Sequence, residues 1–249
     1  MMRRLFSPRW MLIHLGVALL IVTMINLAFW QLHRLDEKKA FNERVTANTA
    51  KPVVDYTKAA PTTLSSEWSR AAFTGTYDTE HSVTIINRSQ DGAAGYDIAI
   101  PFTNEDGTVI LVNRGFVPLS MTAPKTTTEK LTIVGYIRAT QKRGAVGAID
   151  STDPTNTEFH RFDLPLIAKA TKTELLTSSY VQLIKEDPAS TSQWPSAVAM
   201  PELDEGSHLS YAVQWFFFSA TAFTAWVFVV RRKLREPLSD LVAQEQTSA

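Results

Sequence analysis

The chain of 249 residues contains no cysteine. Disulfide bonds, a thiolate nucleophile, a cysteine-ligated zinc site and a thiol relay for copper are therefore excluded within it. It also lacks a nucleophile elbow, a phosphate-binding loop, a His-x-x-x-His metal motif and a dinucleotide-binding glycine pattern. Because the residue chemistry points to no reaction, we expect a protein that is not an enzyme.

An excess of positive charge is also missing. Between residues 34 and 207 there are 18 Lys and Arg against 22 Asp and Glu. A nucleic-acid partner calls for a basic face, so we expect none. The same segment has two isolated histidines, His81 and His160, which we interpret as ordinary side chains, and an acidic group at Asp150, Asp153 and Glu158, which we interpret as a solvated loop.

Two long apolar runs stand near the two ends of the chain. The first extends from Trp10 to about Leu32 and the second from Leu209 to Val230. As helices, with a rise of 1.5 Å per residue, each is roughly 33 Å long, enough to cross the hydrocarbon core of a bilayer. The sequence therefore predicts two transmembrane helices. Asn26 in the first and Gln214 in the second are better satisfied between packed helices than in lipid, which favours a helical hairpin.

The positive charges predict the orientation of the hairpin. Arg3, Arg4 and Arg9 precede the first run, and four cations from Arg231 to Arg235 follow the second. Lys and Arg remain on the cytoplasmic side, so both termini are predicted to be cytoplasmic and the large middle segment extracytoplasmic. The predicted divisions are a cytoplasmic N-terminus 1–9, a first transmembrane helix 10–32, an extracytoplasmic domain 33–207, a second transmembrane helix 208–230 and a cytoplasmic tail 231–249.

A cleaved signal peptide is the alternative for the first run. Its apolar stretch exceeds the usual length of such a segment, and no small-x-small cleavage site follows it closely, so we expect it to be retained. A buried core helix is the alternative for the second run, but 22 residues without a charge favour a membrane span.

The middle segment reads as a mainly antiparallel β domain, either a barrel or a sandwich. It opens with a charged stretch, Asp36 to Ala47, that extends the first helix, and continues through a linker with Pro52 and Pro61. Asp106-Gly107 between two apolar runs predicts a hairpin, and Leu164 to Leu176 predicts a helix. The predicted strands are 70–77, 82–87, 96–102, 108–113, 130–140 and 179–184.

Three stretches carry a more specific pattern. The first span ends in Phe29-Trp-Gln-Leu-His-Arg-Leu-Asp-Glu-Lys38, and the second opens with His208-Leu-Ser-Tyr-Ala-Val-Gln-Trp215. Between them are Gly95-Tyr-Asp-Ile-Ala-Ile-Pro-Phe102 and Val109-Ile-Leu-Val-Asn-Arg-Gly-Phe-Val-Pro118. In order and position these runs resemble the surfeit locus family of cytochrome c oxidase assembly factors. The chain departs from the family pattern at Phe116, where the family has Trp, and matches it only loosely over 145–200.

The resemblance implies an assembly factor for haem–copper cytochrome c oxidase. Such a factor assists maturation of the catalytic subunit, and in bacteria it is associated with delivery of haem a. The expected partners are oxidase subunits, the catalytic one first among them, a respiratory supercomplex that contains them, and membrane lipid. Only about nine residues precede the first span, and a mitochondrial presequence is longer than that. We therefore expect a multi-pass protein of a bacterial plasma membrane.

The resemblance also implies a haem site at the outer membrane face. His208 matches the family's membrane-boundary histidine, and imidazole is a common ligand of haem iron. His14 is predicted at the opposite face, about 25 Å away, so His33 is the better second ligand or neighbour. Trp30 and Gln31 are predicted to form the floor. The remaining expected cofactor contacts are Tyr211 and Trp215, which lie against the macrocycle, and Arg34, which meets the propionates.

Two other functions stay open at the level of sequence. A resident accessory subunit would pack against the oxidase without handling haem, and the lack of an evident second iron ligand favours it. An envelope sensor would need a cytoplasmic output domain, for which residues 231–249 are too few. For Arg114 we predict an ion pair, either buried or facing a partner.

Overall fold

The computed structural model describes residues 7–57, 67–153 and 155–235. The chain divides into two compact units, one made of residues 1–42 and 203–249 and the other of residues 43–202. Arg3, Arg4, the linker residue Pro61 and the tail beyond Arg235 lie outside the described residues.

Two long helices contain the apolar runs. Helix α1 spans Pro8–Thr49 and helix α3 spans His208–Arg235. Both are long and apolar enough to cross a membrane, which confirms the prediction of two such helices. With 42 residues, α1 continues past Leu32 through the charged stretch, as predicted, because that stretch holds no Gly or Pro that would end a helix.

The two helices pack antiparallel within their unit. The ring centroids of Phe29 and Phe216 lie 5.5 Å apart, edge to face. Toward the start of α3, the side-chain amide of Asn42 donates to the carbonyl of Asp204 at 3.0 Å. Ala28 and Ala212 are fully buried, as expected where small side chains let two helices approach closely. The predicted role of Asn26 is wrong. Its amide donates at 2.8 Å to the carbonyl of Val22 one turn earlier, since that acceptor lies within reach on its own helix.

The second unit contains a β-barrel of five strands and three further strands, two of which are only two residues long. Each predicted strand is present, some of them longer than predicted. In chain order the strands are β1 Val54–Asp55, β2 Arg70–Tyr77, β3 Val83–Gln90, β4 Ala93–Asn104, β5 Val109–Pro118, β6 Leu131–Ala139, β7 Glu158–Phe159 and β8 Ser179–Asp187.

Five of these strands close on themselves. The order β2-β6-β8-β5-β4 is completed by pairing of β4 back onto β2, so the domain is a barrel and not a sandwich. Within the barrel the pairings are antiparallel except β5 with β8, which is parallel. At the closing seam, Gly75 of β2 pairs with Asn104 of β4 and Thr76 pairs with Thr103.

The barrel interior and a second apolar layer share strand β5. Phe73, Phe102 and Ile110 are completely buried in the interior cluster, while Leu111, on the opposite face of β5, packs in a separate cluster with Phe162 and Ile167. Because β5 is covered on both faces, it is buried almost without interruption and opens with four apolar residues in a row, in contrast to the alternating burial of β6.

Helix α2 spans Leu164–Thr171 and is shorter than predicted. Asp163 caps its start by accepting from the backbone of Leu166, and Lys172 ends it in the left-handed conformation with φ 55°. Leu175 and Leu176 then leave the helix to pair with Val109, where the Leu176 amide donates to the Val109 carbonyl at 2.8 Å. This backbone pairing overrides the helical pattern at the end of the predicted segment.

Candidate functional site

The imidazole of His208 is held between the two long helices. Its Nδ1 lies 2.8 Å from Oε1 of Gln31 on α1. An amide oxygen can only accept, so Nδ1 carries the hydrogen and donates it. In the neutral ring this leaves the lone pair on Nε2, and no described residue hydrogen-bonds to that nitrogen. A histidine oriented in this way through its other ring nitrogen is the usual arrangement at metal sites.

The start of α3 explains why His208 stands at this position. Gly206 adopts φ 66°, which turns the chain, and the carbonyl of Ser207 accepts from the Tyr211 amide at 3.1 Å to close the first helical turn. His208 is thus the first residue of the helix and is half-buried.

The other predicted contacts on α3 follow the same face of the helix. Tyr211 is three residues beyond His208 and Trp215 is seven residues beyond it, spacings that place side chains on one side of a helix. Tyr211 is half exposed, and Trp215 is half-buried with its ring 6.0 Å from that of Phe218. On α1, Trp30 next to Gln31 is 54% exposed. These rings are free to contact a flat apolar ligand.

His33 contacts its own helix and not His208. Its Nε2 lies 3.3 Å from a carboxylate oxygen of Glu37 on its own helix, and its side chain is 72% exposed. Arg34 is also paired with Glu37. His33 is two residues from Gln31, which places it roughly 200° around the helix from the residue that contacts His208. Among the residues that the structure describes, no group of three or more His, Asp or Glu side chains is arranged to hold a metal ion.

His14 has the opposite tautomer and a different environment. Its Nδ1 lies 3.0 Å from Nε1 of Trp226 on α3. An indole N–H can only donate, so Nδ1 of His14 accepts and the hydrogen of the ring is on Nε2. His14 and Gln31 are 17 residues apart on α1, roughly 26 Å along the axis. One iron atom is therefore not shared between His14 and His208.

The motif residues of the β domain form its interior framework. Asn113 on β5 donates to the carboxylate of Asp97 on β4 at 3.1 Å and accepts from the Gly115 amide at 3.0 Å. Burial raises the pKa of Asp97 above its usual value, against the opposing effects of Arg88 and Asn113. This link joins the two sequence runs in β4 and β5, so these motif residues stabilise the barrel and do not line a site.

Arg114 is the buried centre of a second network, and its predicted ion pair is confirmed as a buried one. Its Nε and Nη2 donate to the two carboxylate oxygens of Glu186 at 3.0 and 3.1 Å, and its Nη1 donates to Thr126 at 2.6 Å. The hydroxyl of Tyr77 donates to the same carboxylate at 2.8 Å. Burial and the nearby Glu186 raise the pKa of the Tyr77 phenol well above its usual value, so the hydroxyl stays a donor.

Sequence reasoning missed the roles of Gln31 and Trp226 as partners of the two histidines. Gln31 was expected only as part of the floor of the haem site, although it is the residue that orients His208. The signal was a side chain with a hydrogen-bonding group near the end of each apolar run, the amide of Gln31 in the first and the indole of Trp226 in the second. Its use required the register of the two helices, which the sequence alone does not specify.

Comparison with known proteins gives a consistent result. The family model described as "SURF1 family" matches residues 18–220. The chain is 26% identical over 232 residues to an uncharacterized SURF1-like protein of Mycobacterium tuberculosis, an alignment that covers 88% of this chain and 82% of that protein. It is 25% identical over 244 residues to surfeit locus protein 1 of Takifugu rubripes, with 87% and 96% covered. A SURF1-like protein of Rickettsia bellii is 22% identical over 212 residues, with 83% and 86% covered.

Proposed function

Because this chain belongs to the SURF1 family, a family of cytochrome oxidase assembly factors, we propose that it assists maturation of the catalytic oxidase subunit by handling haem a at the outer face of the membrane. The family is not one of enzymes, which agrees with the absence of catalytic motifs. The expected partners are subunits of the oxidase. The contact between Gln31 and His208 is the observation that carries the haem part of this proposal.

The proposal includes a membrane placement. The two helices span a bacterial plasma membrane with both termini in the cytoplasm, and the β domain lies outside. The support is the distribution of cations. Arg9 precedes the first apolar run and four cations from Arg231 to Arg235 follow the second, whereas no Lys or Arg occurs between Lys185 and Arg231. In this proposed orientation, His208 lies at the outer face of the membrane and His14 near the cytoplasmic face.

A reporter fusion tests this placement. A reporter that is active only outside the cytoplasm, fused after residue 120 in the β domain, is expected to be active, and the same reporter fused after Arg235 is expected to be silent. If the fusion after residue 120 is silent, and a reporter that works only in the cytoplasm is active at the same position, the orientation is wrong. The proposed position of the haem site is then wrong as well.

The described residues suit a haem in specific ways. His208 offers a lone pair on Nε2 with its ring already oriented, which lowers the entropy cost of binding iron. Tyr211, Trp215 and Trp30 offer apolar ring surface, and Arg34 is a cation that binds a propionate if it leaves Glu37. His33 serves as a neighbour of the site and not as its iron ligand, since it is paired with Glu37 on its own helix. Haem a, when bound, supplies the redox chemistry that the mature oxidase uses.

The test is the absorption spectrum of the purified full chain in detergent after loading with haem a. We expect a Soret band that His208→Ala abolishes, and about 10- to 100-fold weaker haem binding in Gln31→Leu, because the orienting hydrogen bond is lost. His33→Ala is the matched control, a histidine on the same helix pair, and is expected to keep the band. A wild-type chain that stays free of haem and co-purifies in equal amount with mature oxidase would instead support a resident accessory subunit.

A further inference from the structure

A pocket lies between the two long helices at the end of the pair that holds His14. It has a volume of about 310 Å³ and is lined by the apolar side chains of α1 and α3 together with His14. The lining residues are His14, Val17, Ala18, Ile21, Val22, Phe223 and Trp226. This pocket is separate from the proposed haem site, because His14 lies roughly 26 Å along α1 from Gln31, the partner of His208.

His14 adds one polar group beside the apolar walls of the pocket. Its Nδ1 is occupied by the indole of Trp226, and the rings of Trp10 and Trp226 each lie 5.6 Å from the imidazole ring. The hydrogen on Nε2 has no acceptor among the described residues. An N–H group in an apolar environment gains free energy when a ligand oxygen accepts from it.

Each helix carries cations beyond the pocket, toward the same end of the pair. Arg9 precedes His14 by five residues and Arg231 follows Trp226 by five residues, so in the antiparallel pair each lies roughly 7.5 Å farther toward the same end. Arg9, Arg231 and Arg232 are exposed. Among the described residues of the two helices at this end, from 7 to 35 and from 206 to 235, there is no Asp or Glu to neutralise them.

We propose that this end of the helix pair binds one anionic phospholipid. The phosphate lies among the arginines, an ester carbonyl accepts from Nε2 of His14, and an acyl chain fills the apolar pocket. The order of these groups along the helices matches the order along a phospholipid, in which the ester carbonyls lie between the phosphate and the acyl chains. Basic pockets between transmembrane helices on the cytoplasmic side bind anionic headgroups in this way. The inference rests on the membrane placement proposed above but not on haem binding.

Native mass spectrometry of the full chain in detergent tests the proposal. The probes are dioleoyl phosphatidylglycerol and dioleoyl phosphatidylcholine, which share their acyl chains and differ in headgroup charge. We expect one phosphatidylglycerol to be retained at least about tenfold better than phosphatidylcholine, because the arginines attract an anionic headgroup. His14→Leu, which keeps the apolar volume but removes the N–H donor, is expected to weaken phosphatidylglycerol retention by about tenfold.

A pair of charge variants locates the headgroup. Arg231→Gln with Arg232→Gln is expected to reduce retention of phosphatidylglycerol to the level of phosphatidylcholine. Lys38→Gln with Lys39→Gln removes the same charge farther along α1 and is expected to leave the preference unchanged. Equal retention of the two lipids by the wild type, equal effects of the two double variants, or stronger retention of an isoprenoid quinone than of phosphatidylglycerol would overturn the proposal.

The haem spectrum keeps the two proposals separate. His14→Leu and the arginine double variant are expected to retain the Soret band that depends on His208. If the wild type shows no band but retains phosphatidylglycerol through Arg231 and Arg232, the haem proposal fails and the lipid site stands.

Discussion

Arg114→Met is expected to destabilise the β domain by about 3–5 kcal/mol, because it leaves the carboxylate of Glu186 buried without its cation. Both side chains of this pair are only 6% exposed, so water cannot replace the lost partner. Glu186→Gln is expected to have a comparable effect, since it leaves a buried guanidinium and removes the charged acceptor of the Tyr77 hydroxyl. Hydrogen exchange of the buried β5 amides, measured on the full chain in detergent, reports the change.

The double variant Arg114→Met with Glu186→Leu separates the pair from its surroundings. A buried ion pair replaced by apolar side chains of similar volume is often neutral, so we expect the double variant to recover most of the lost stability. The unpartnered Tyr77 hydroxyl leaves a residual cost of about 1–3 kcal/mol. Lys130→Met, which breaks an exposed pair with Glu105, is the surface control and is expected to cost less than about 1 kcal/mol. Additive costs in the double variant would show that Arg114 and Glu186 act independently.

The strands were predictable where one face is buried and the other is not. Strand β6 alternates between buried and half-buried residues over its length, and its predicted and observed bounds differ by one residue at each end. The turn at Asp106-Gly107 was also predicted, and Gly107 has the expected positive φ of 86°. A second signal of the same kind was missed. Asp91 and Gly92 have φ values of 51° and 77°, typical of a type I′ turn, and they join β3 and β4 directly.

Contacts between distant parts of the chain were not predictable. The hydrogen bond from His208 to Gln31 joins residues 177 positions apart, and its formation depends on how far one apolar helix slides along the other. A sliding shift by one turn leaves both helices equally apolar, so hydropathy does not select the register. Closure of the barrel was not predictable for a similar reason, because the pairing of β2 with β4 depends on the three-dimensional course of all five strands.

Gly75→Ala is expected to destabilise the β domain by more than about 3 kcal/mol, because it opens the closing seam of the barrel. A Cβ at this position would lie 1.9 Å from the carbonyl oxygen of Thr103 on the facing strand. The clash is with backbone and not with a flexible side chain, so strands β2 and β4 must separate to relieve it, beyond the usual cost of overpacking. Exchange of the backbone amides of residues 74–77 and 102–104 measures this opening in the full chain.

Gly144→Ala is the matched control for the same chemical change. Gly144 lies in a loop with ordinary φ, and the nearest atom to its added Cβ is the Val146 carbonyl oxygen at 3.7 Å, an ordinary contact distance. We expect its effect to stay within about 0.5 kcal/mol. The Soret band of Gly75→Ala gives a second result. Since His208 and Gln31 belong to the helical unit, the band is expected to survive in chains whose barrel exchanges rapidly, and its loss would show that the haem site requires a closed barrel.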